Sequence, residues 1–378
     1  MKEREYQVCN NCVMDTSDPE ISFDYNGRCD FCDNYYNSIL PNWHPDDTGK
    51  AELEKVVKKI KEDGRNKEYD CIIGVSGGVD SSYLLYFAKV VLGLRPLAFT
   101  VDTGWNLNVA VENIEKLVKK LNIDLYTEVV NWQEMKDLQR AFLKSQVPYQ
   151  DLPQDHAIFA GLYNYAHKKK IKYVLTGANF STEGVKPPYE WTYINDIRMI
   201  KDIHKKYGKV KLRTFPLCGM FKNRLYYRYL RGLKVIHPLN YTKYEKDEAI
   251  HILKEKYDWE KYENKHYENI FTRFYEGYYL PKKFGYDKRR CYFSNLILTG
   301  QITRDEAIIM LDNPAYDEKI AMEDLEYVAK KLDFSKKELI SLIEGENKTF
   351  RDYRSNAWLL KTAIRIAVLF GHEKRLFR

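Results

Sequence analysis

Residues 74–82, GVSGGVDSS, have the composition of a phosphate-binding loop but lack the lysine of the commoner G-x-x-x-x-G-K-[ST] loop. The glycines let the backbone turn with its N–H groups exposed, and the helix that follows adds the positive end of its dipole. Serine hydroxyls donate to phosphate oxygens, whereas Asp80 requires a bridging Mg²⁺ to lie near a phosphate. The alternative is a plain helix start capped by Ser76 and Asp80. The residues predicted to bind phosphate and Mg²⁺ are Ser76, Gly77, Gly78, Asp80, Ser81 and Ser82.

Four of the seven cysteines form two C-x₂-C pairs separated by sixteen residues: Cys9, Cys12, Cys29 and Cys32. This spacing matches a zinc-binding template, in which two tight turns direct four thiolates at one tetrahedral ion. Two disulfides are the alternative, which a reducing cytosol disfavours. We predict a structural zinc, because four sulfur ligands leave no open position for catalysis. The isolated Cys71, Cys218 and Cys291 are expected to be small buried side chains.

The candidate loop lies between an apolar strand, 71–75, and a helix, 80–91, at the start of a regular alternation. It continues with strand 96–101, helix 107–121, strand 124–130, helices 133–144 and 155–169, and strand 172–177. Such alternation predicts a parallel sheet with helices on both faces. Because ligands bind at the carboxyl ends of these strands, residues 74–82, 102–104 and 176–179 are predicted to line one site.

Beyond residue 180 the alternation stops and helical patterns follow, with capping boxes at Thr242/Glu245, Thr303/Glu306 and Ser335/Glu338. The predicted organisation is a zinc ribbon at 1–40, a helical connector at 41–68, an α/β domain at 69–240 and a helical region at 241–378. A ribbon this short and poor in apolar residues needs its metal to fold.

The 378 residues carry a net charge of +7, and this charge is concentrated in one tract. Residues 201–234 contain eleven Lys or Arg and one acid, a local net of +10, so the remainder is near −3. A local excess indicates a surface or site rather than general binding of polyanions. No apolar run approaches the length of a membrane span, and the first residues lack the apolar region of a signal peptide, so we expect a cytoplasmic enzyme without a membrane partner.

The string S-G-G-x-D-S-S after an apolar strand resembles the PP-loop of the N-type ATP pyrophosphatases, among them GMP, NAD, asparagine and lysidine synthetases and tRNA thiolases. The resemblance covers about residues 69–180. It implies an α/β fold with a parallel sheet of the adenine nucleotide α-hydrolase-like type, which binds ATP and Mg²⁺. In these enzymes the loop holds the leaving pyrophosphate while AMP is transferred to a substrate oxygen. By the family pattern Val101, Asp102 and Thr103 would line the adenosine pocket, and Thr176, Gly177 and Asn179 would close over the nucleotide.

Further segments look like the N-acetyl sugar amidotransferases of surface-polysaccharide and nonulosonic-acid pathways: residues 9–35, LTGANFSTEG with EWTYIND, and residues 272–290. This resemblance runs nearly end to end. It implies that ATP activates an acetamido oxygen and that ammonia then displaces AMP to give an acetamidine. The implied partners are an N-acetyl sugar, expected to be nucleotide-linked, and a separate glutaminase with a barrel subunit that supplies ammonia.

Residues with possible catalytic or substrate roles lie in the same segments. Asp80, Lys282 and Lys288 are assigned to catalysis, the lysines within a basic cluster that also holds Lys283, Arg289 and Arg290 and could neutralise phosphate. His156, Glu183, Trp191 and Arg289 are assigned to substrate. Asp196 could act as Glu183 does, and Lys243 is a weaker candidate for phosphate. The alternatives are that His156 is a capping or packed histidine, that Glu183 is a solvated carboxylate and that Trp191 is a core residue. The basic cluster could likewise be a charged loop.

A tRNA-modifying PP-loop enzyme, thiolase or lysidine-synthetase-like, is the main alternative function. The basic, tyrosine-rich tract 201–234 could bind RNA. Thiolases of the cysteine-dependent kind need thiols near the active site, whereas only three isolated cysteines remain outside the ribbon. A non-catalytic adaptor with a vestigial nucleotide pocket is a second alternative, which the complete loop disfavours. We therefore consider nucleic acid an improbable partner.

Overall fold

A computed structural model of the chain describes residues 5–192, 196–261 and 268–370. Residues 193–195 of the EWTYIND segment lie outside the described part. Five parallel strands form one sheet: β1 (Cys71–Gly74), β2 (Pro96–Asp102), β3 (Leu125–Val129), β4 (Tyr173–Leu175) and β5 (Lys234–Ile236). This confirms the predicted parallel sheet.

The strand order is β3-β2-β1-β4-β5, so the chain builds the sheet outward from β1 in one direction and then returns to its other side. Ile73 of β1 is paired with Ala98 of β2 and with Leu175 of β4, which fixes the register at the centre of the sheet. The order reverses between β1 and β4. A crevice forms at such a reversal, outside the carboxyl ends of the two strands.

Strand β5 is the element that the sequence did not reveal. It is three residues long, it follows the basic tract, and its side chains are exposed or half-buried. A strand so short and so little buried has no apolar pattern in the sequence. It forms by pairing with the edge of β4.

The described residues also form sixteen α-helices. The first eight are α1 (Asp30–Asn34), α2 (Asp47–Gly64), α3 (Val79–Tyr86), α4 (Asn108–Leu121), α5 (Trp132–Ser145), α6 (Leu152–Lys168), α7 (Phe180–Glu183) and α8 (Ile197–Tyr207). The others are α9 (Lys246–Tyr257), α10 (Ile270–Phe274), α11 (Leu280–Phe284), α12 (Arg289–Leu298), α13 (Arg304–Asp312), α14 (Glu318–Lys331), α15 (Lys336–Glu344) and α16 (Ala357–Leu369). π-helical turns follow α1, α3 and α10, and a further π-helix spans Lys222–Leu230.

Each face of the sheet has its own core. Helices α2, α3, α4 and α9 pack on one face, with Leu53, Leu84, Ile114 and Leu253 among the buried residues. Helices α5, α6 and α8 cover the other face, and the C-terminal helices α10, α11, α14 and α15 share that core. The connector helix α2 is therefore part of the sheet's packing, and so is α9.

The N-terminal ribbon packs on the C-terminal helices. The Arg304 guanidinium donates to the carbonyls of Cys9 at 2.9 Å and Cys12 at 3.1 Å, and Arg290 donates to the carbonyl of Val13 at 2.8 Å. A third core joins the ribbon to Trp191 and to residues of α12. Ribbon and C-terminal region thus stabilise one another.

Two predicted capping boxes are confirmed, those that begin α13 at Thr303 and α15 at Ser335. The prediction at Thr242/Glu245 is wrong, because α9 starts three residues later than a Thr242 cap requires, and Glu245 itself takes the N-cap position without a side-chain bond. Among the described helices, none combines the length and the apolar composition needed to cross a membrane.

Candidate nucleotide and substrate sites

The PP-loop segment leaves β1 and turns sharply at Gly77, whose φ of +84° lies in the left-handed region. A Cβ at Gly77 would lie 2.6 Å from the carbonyl oxygen of Ala110, so only glycine fits there. Its own carbonyl accepts a hydrogen bond of 3.1 Å from Nε1 of Trp259. Gly78 is the N-cap of α3, which directs the positive end of that helix at the crevice.

Hydroxyl groups of the loop hold it in shape and line the crevice. The Ser81 hydroxyl donates to the Gly78 carbonyl at 3.2 Å and lies 3.3 Å from the Ser76 hydroxyl, which accepts from the Gly78 N–H at 3.3 Å. Both serines border the cavity described below. Ser82 is buried at 1% exposure and lies behind the loop, away from that cavity.

The loop after β4 forms the opposite wall. Thr176 and Gly177 border the cavity, and a Cβ at Gly177 would lie 2.8 Å from the carbonyl carbon of Asp80. The two loops are therefore packed backbone against backbone. Asn179 is buried and caps α7, where its side chain accepts from the Thr182 N–H at 2.9 Å, so it shapes this loop from behind.

Between the two loops lies a cavity of about 540 Å³, which we call the nucleotide cavity. Asp80 borders it, and the Tyr244 hydroxyl donates a hydrogen bond to Oδ1 of Asp80. Burial, and then the charge of Asp80, raise the pKa of Tyr244 well above its usual value, so this hydroxyl keeps its proton and remains a donor.

Two lysines that the sequence did not single out border the nucleotide cavity, Lys246 in the first turn of α9 and Lys261. Nζ of Lys246 lies 5.3 Å from the ring centre of Tyr292. Phe159 and Ile250 supply apolar surface. A phosphate cradle, cations and apolar wall in one crevice are what an adenine nucleotide requires. No local motif marks these lysines, because they reach the crevice from distant segments.

The residues predicted to line the adenosine pocket, at the end of β2, do not border this cavity. Val101 is buried in the core, and Thr103 is buried and donates to Oε1 of Gln154 at 2.6 Å. The Asp102 carboxylate accepts from the Gly104 N–H at 2.7 Å. In this structure they stabilise the neighbouring turn, one strand away from the crevice.

A second cavity of about 320 Å³, which we call the substrate cavity, adjoins the first. Glu183 and Tyr292 border both cavities and so form their common wall. The remaining lining comes from α7 and the loop after it, from the segment spanning α10 to α12, and from the loop after α13: Thr182, Val185, Lys186, Pro187, Arg273, Glu276, Gly277, Asp287, Lys288, Arg289, Cys291, Phe293 and Ala315. Positive and negative side chains alternate there, beside aromatic surface.

The structure divides the predicted basic cluster. Lys288 borders the substrate cavity and is paired with Glu276. Burial alone would lower the pKa of Lys288, but the charge and hydrogen bond of Glu276 and the charges of Asp155 and Asp151 together raise it. Lys282 is exposed and borders neither cavity. Lys282 therefore lies away from both cavities, although the sequence assigned it to catalysis.

The other cations of the cluster hold the fold together. Arg289 borders the substrate cavity, but its guanidinium donates to Asp287 at 2.7 Å and to carbonyls at the end of α13, the nearest being that of Asn313 at 2.9 Å. Lys283 donates to carbonyls at the end of α15, at 2.8 Å for Gly345. The contacts of Lys283 and Arg289 therefore satisfy helix termini, and Arg290 binds the ribbon. None of these contacts is to phosphate.

Two further predicted substrate residues are buried away from both cavities. Nε2 of His156 accepts from the Cys218 N–H at 3.2 Å, and burial lowers the pKa of His156 to about 4. Trp191 has no exposed surface and stacks on Tyr286 with ring centres 5.1 Å apart. The carboxylate of Asp196 caps α8. Of the residues assigned to substrate, Glu183 and Arg289 reach the substrate cavity.

The four ribbon cysteines are buried as free thiols, with ligand atoms all within 4.8 Å of one another. The sulfur atoms of Cys12 and Cys29 are 3.6 Å apart, and those of Cys9 and Cys32 are 3.8 Å apart. A tetrahedron with metal–sulfur bonds of about 2.3 Å has edges of roughly 3.8 Å. The cluster thus has the size for a single tetrahedral metal ion, which confirms the predicted metal-binding arrangement.

A parallel sheet whose strand order reverses at an S-G-G-x-D-S-S loop defines the PP-loop ATP pyrophosphatase fold. Residues 268–365 match the model of the family described as "LPS biosynthesis protein WbpG-like, C-terminal domain". The chain therefore carries a WbpG-like C-terminal domain joined to a PP-loop sheet, and this match agrees with the resemblance inferred from the sequence. These features indicate an ATP-utilising enzyme.

The chain is also similar to parts of other proteins. It is 24% identical over 168 residues to an uncharacterised protein of Methanocaldococcus jannaschii, and the matched region covers 41% of this chain and 58% of that protein. It is 28% identical over 168 residues to a GMP synthase [glutamine-hydrolyzing] of Pyrobaculum aerophilum, 42% of this chain and 30% of that enzyme. Among solved structures it resembles an NH3-dependent NAD synthetase from Campylobacter jejuni, with 18% identity, a TM-score of 0.32, and 75% of this chain and 94% of that chain covered. The chain spans less than two thirds of either curated relative.

Proposed function

We propose that the protein is an ATP-dependent, AMP-forming amidotransferase that converts the acetamido group of an N-acetyl sugar into an acetamidino group, for surface-polysaccharide biosynthesis. The observation that supports this most is the common wall of the two cavities. A phosphate cradle opens on one side of Glu183 and Tyr292, and a pocket formed by the WbpG-like domain together with residues 182–187 opens on the other. Two substrates bound there meet at that wall.

ATP binds in the nucleotide cavity with its phosphates at the start of α3. The N–H groups of the loop and the hydroxyls of Ser76 and Ser81 face the pyrophosphate, and Lys246 and Lys261 offset its charge. Asp80 would hold Mg²⁺, which stabilises the negative charge of the departing pyrophosphate. The absence of a Walker lysine follows from this chemistry, because no γ-phosphoryl group is transferred.

The N-acetyl sugar binds in the substrate cavity. Its hydroxyls need both donors and acceptors, which Lys186, Glu183 and Glu276 provide, while Tyr292 and Phe293 offer apolar surface for a ring face. We propose, from the family resemblance, that the sugar is nucleotide-linked. The attached nucleotide would lie outside this cavity.

The reaction has two steps. The acetamido oxygen attacks the α-phosphorus of ATP, pyrophosphate leaves, and the amide nitrogen loses its proton, which gives an O-adenylylated imidate. Ammonia then forms a bond to the activated carbon, and AMP departs with the electron pair of the carbon–oxygen bond. Adenylylation is needed because an amide is a poor electrophile with a poor leaving group. Glu183, which borders both cavities, would accept a proton in this reaction.

We further propose that the ribbon metal is zinc and that ammonia comes from a separate glutaminase with a barrel subunit. Among the described residues, Cys71 and Cys218 are buried, and burial raises the pKa of both thiols, contrary to what a glutaminase nucleophile needs. Elemental analysis should give about one zinc per chain. Another metal, or two disulfides, would contradict the zinc proposal.

The function is tested with ATP labelled at either the α- or the γ-phosphate, an N-acetyl sugar nucleotide and ammonium. We expect label to appear in AMP and in pyrophosphate, dependent on the sugar. Formation of ADP and phosphate would overturn the proposal. Cleavage that depends on tRNA instead of sugar would assign the protein to the tRNA-modifying enzymes.

A further inference from the structure

An exposed apolar stripe runs along the π-helix Lys222–Leu230, within the basic tract 201–234. A π-helix has about 4.4 residues per turn, so side chains four or five positions apart lie on the same face. Four large apolar side chains follow this spacing and are between 53% and 79% exposed: Phe221, Leu225, Tyr229 and Leu230. An apolar patch of this kind on a protein surface marks a contact with another apolar body.

The opposite face fixes this helix to the rest of the protein. Tyr227 is buried, and its hydroxyl donates to Oδ1 of Asn164 in α6 at 2.6 Å. The ring centres of Tyr226 and Tyr227 lie 5.4 Å and 5.1 Å from that of His167, which is also in α6. The helix is therefore held on α6 with the stripe directed outward.

Cations flank the stripe on both sides. Residues 221–234 contain five Lys or Arg and no acid. At about 82° per residue, the positions of Lys222 and Arg231 fall on one side of the stripe. Those of Arg224 and Arg228 fall on the other side. All four side chains are exposed, and neither Arg224 nor Arg228 has an ion pair in the part of the chain that the structure describes.

We propose that this stripe binds the surface of a bilayer that contains anionic phospholipid. The apolar side chains would enter the boundary between headgroups and acyl chains, while the flanking lysine and arginines reach the phosphates. A helix that lies on a membrane in this way needs no spanning segment. The proposal therefore departs from the expectation of a protein without a membrane partner, which considered only spanning segments and signal peptides.

Two features favour lipid over RNA and over a groove on another protein. Leu225 and Leu230 are aliphatic, whereas RNA bases stack on aromatic rings and guanidinium planes. A protein groove would need acidic side chains along both of its edges, in register with the cations on both sides of the stripe. Anionic headgroups surround any side chain that enters a bilayer, so no such register is required.

The test is flotation of the purified full chain with vesicles and without substrate, so its outcome is independent of the proposed amidotransferase reaction. One set of vesicles contains phosphatidylcholine alone, and the other contains phosphatidylcholine mixed with phosphatidylglycerol. We expect saturable binding to the anionic vesicles alone. Added salt should weaken this binding, because it screens the attraction between the cations and the headgroups.

Leu225→Ser tests the apolar stripe. Because Leu225 is exposed, the variant should fold. It should bind the anionic vesicles about tenfold more weakly, the usual effect of losing one large apolar side chain from an apolar phase. The matched control is Ile309→Ser on α13, another exposed aliphatic residue, which should bind as the unaltered chain does.

The double variant Arg224→Gln/Arg228→Gln tests the flanking charge. It should weaken binding to the anionic vesicles by about fivefold for each charge removed. The matched control is Lys55→Gln/Lys58→Gln on α2, which removes the same net charge from another exposed surface and should have little effect.

Binding to neither kind of vesicle, or binding that Leu225→Ser leaves unchanged, would overturn the proposal. Equal losses in the arginine and lysine double variants would do the same, since net charge alone would then explain the attraction. Tight binding of tRNA that needs Arg224 and Arg228 but not Leu225 would assign the surface to RNA instead. A dimer in light scattering that Leu225→Ser disperses would show that a second copy of the chain covers the stripe, and the proposal would again be wrong.

Discussion

The hydroxyl of Tyr244 donates a hydrogen bond to the carboxylate of Asp80, joining the segment before α9 to the first turn of α3. The carbonyl of Tyr244 in turn accepts from the Ser181 hydroxyl at 2.9 Å, which fixes the residue to α7. Asp80 is therefore oriented from outside its own loop. A carboxylate oriented in this way suits the proposed role of Asp80 in holding Mg²⁺.

We predict that Tyr244→Phe raises the Mg²⁺ concentration needed for half-maximal pyrophosphate release by roughly 10- to 100-fold, the usual effect of losing a partner that orients a metal ligand. The ring should still pack on Tyr83, whose centre is 5.4 Å away, so the variant should fold. Asp80→Asn should lower kcat by a hundredfold or more, about 3 kcal/mol in activation free energy. An unchanged Mg²⁺ dependence in Tyr244→Phe would show that the contact does not orient Asp80.

Lys246 is predicted to bind the triphosphate. Lys246→Met should raise the KM for ATP about tenfold or more, because it removes a cation from the wall of the nucleotide cavity. The control is Lys243→Met, three residues earlier, since Lys243 is exposed and pairs with Glu245 at 2.5 Å. Steady-state kinetics with both variants checks this. Equal KM values would remove Lys246 from the site.

Arg289 and Lys282 should differ in stability rather than in catalysis. Arg289→Met leaves carbonyls at the end of α13 without their donor and should lower the unfolding temperature by roughly 2–4 °C. Lys282→Met should change neither stability nor activity, because Lys282 is exposed and borders neither cavity. A large rise in the KM of the sugar for Lys282→Met would restore the role in phosphate binding that the sequence suggested.

Stability should fall in mild acid because of His156. Burial lowers its pKa to about 4, below the value of about 6.5 in an unfolded chain. The unfolded state therefore binds the proton first, and the stabilisation present above pH 6.5 is lost as the pH falls towards 4, up to about 3 kcal/mol. His156→Gln can still accept from the Cys218 N–H, and it should flatten this part of the curve of unfolding free energy against pH. An equal slope in both proteins would contradict the assignment.

Much of this architecture was predictable because it is local. The alternation of apolar strands and helices gave the sheet, and the glycine pair, Asp80 and the serines lie together in one turn. The cysteine pairs were predictable for the same reason, since each pair forms its own tight turn. Strand β5 was missed because three half-exposed residues carry no periodic signal.

The misplaced site residues share a different cause. Nothing in the tract 282–290 shows that Lys283 and Arg289 donate to helix ends elsewhere in the chain, because those contacts join distant segments. Tertiary packing also brings Lys246, Lys261 and Glu268 to the nucleotide cavity from distant segments, so no local motif marks them. A sequence indicates which side chains are able to bind a phosphate, whereas tertiary packing decides which of them are near one.

The central claim is that AMP passes to the amide oxygen of an N-acetyl sugar. The most direct test supplies a sugar nucleotide whose acetamido oxygen is ¹⁸O, together with ATP, Mg²⁺ and ammonium, and analyses the nucleotide product by mass spectrometry. The account predicts one ¹⁸O in AMP and none in pyrophosphate, because the oxygen leaves with the adenylyl group. AMP without the label, or a sugar product that retains it, would contradict the account.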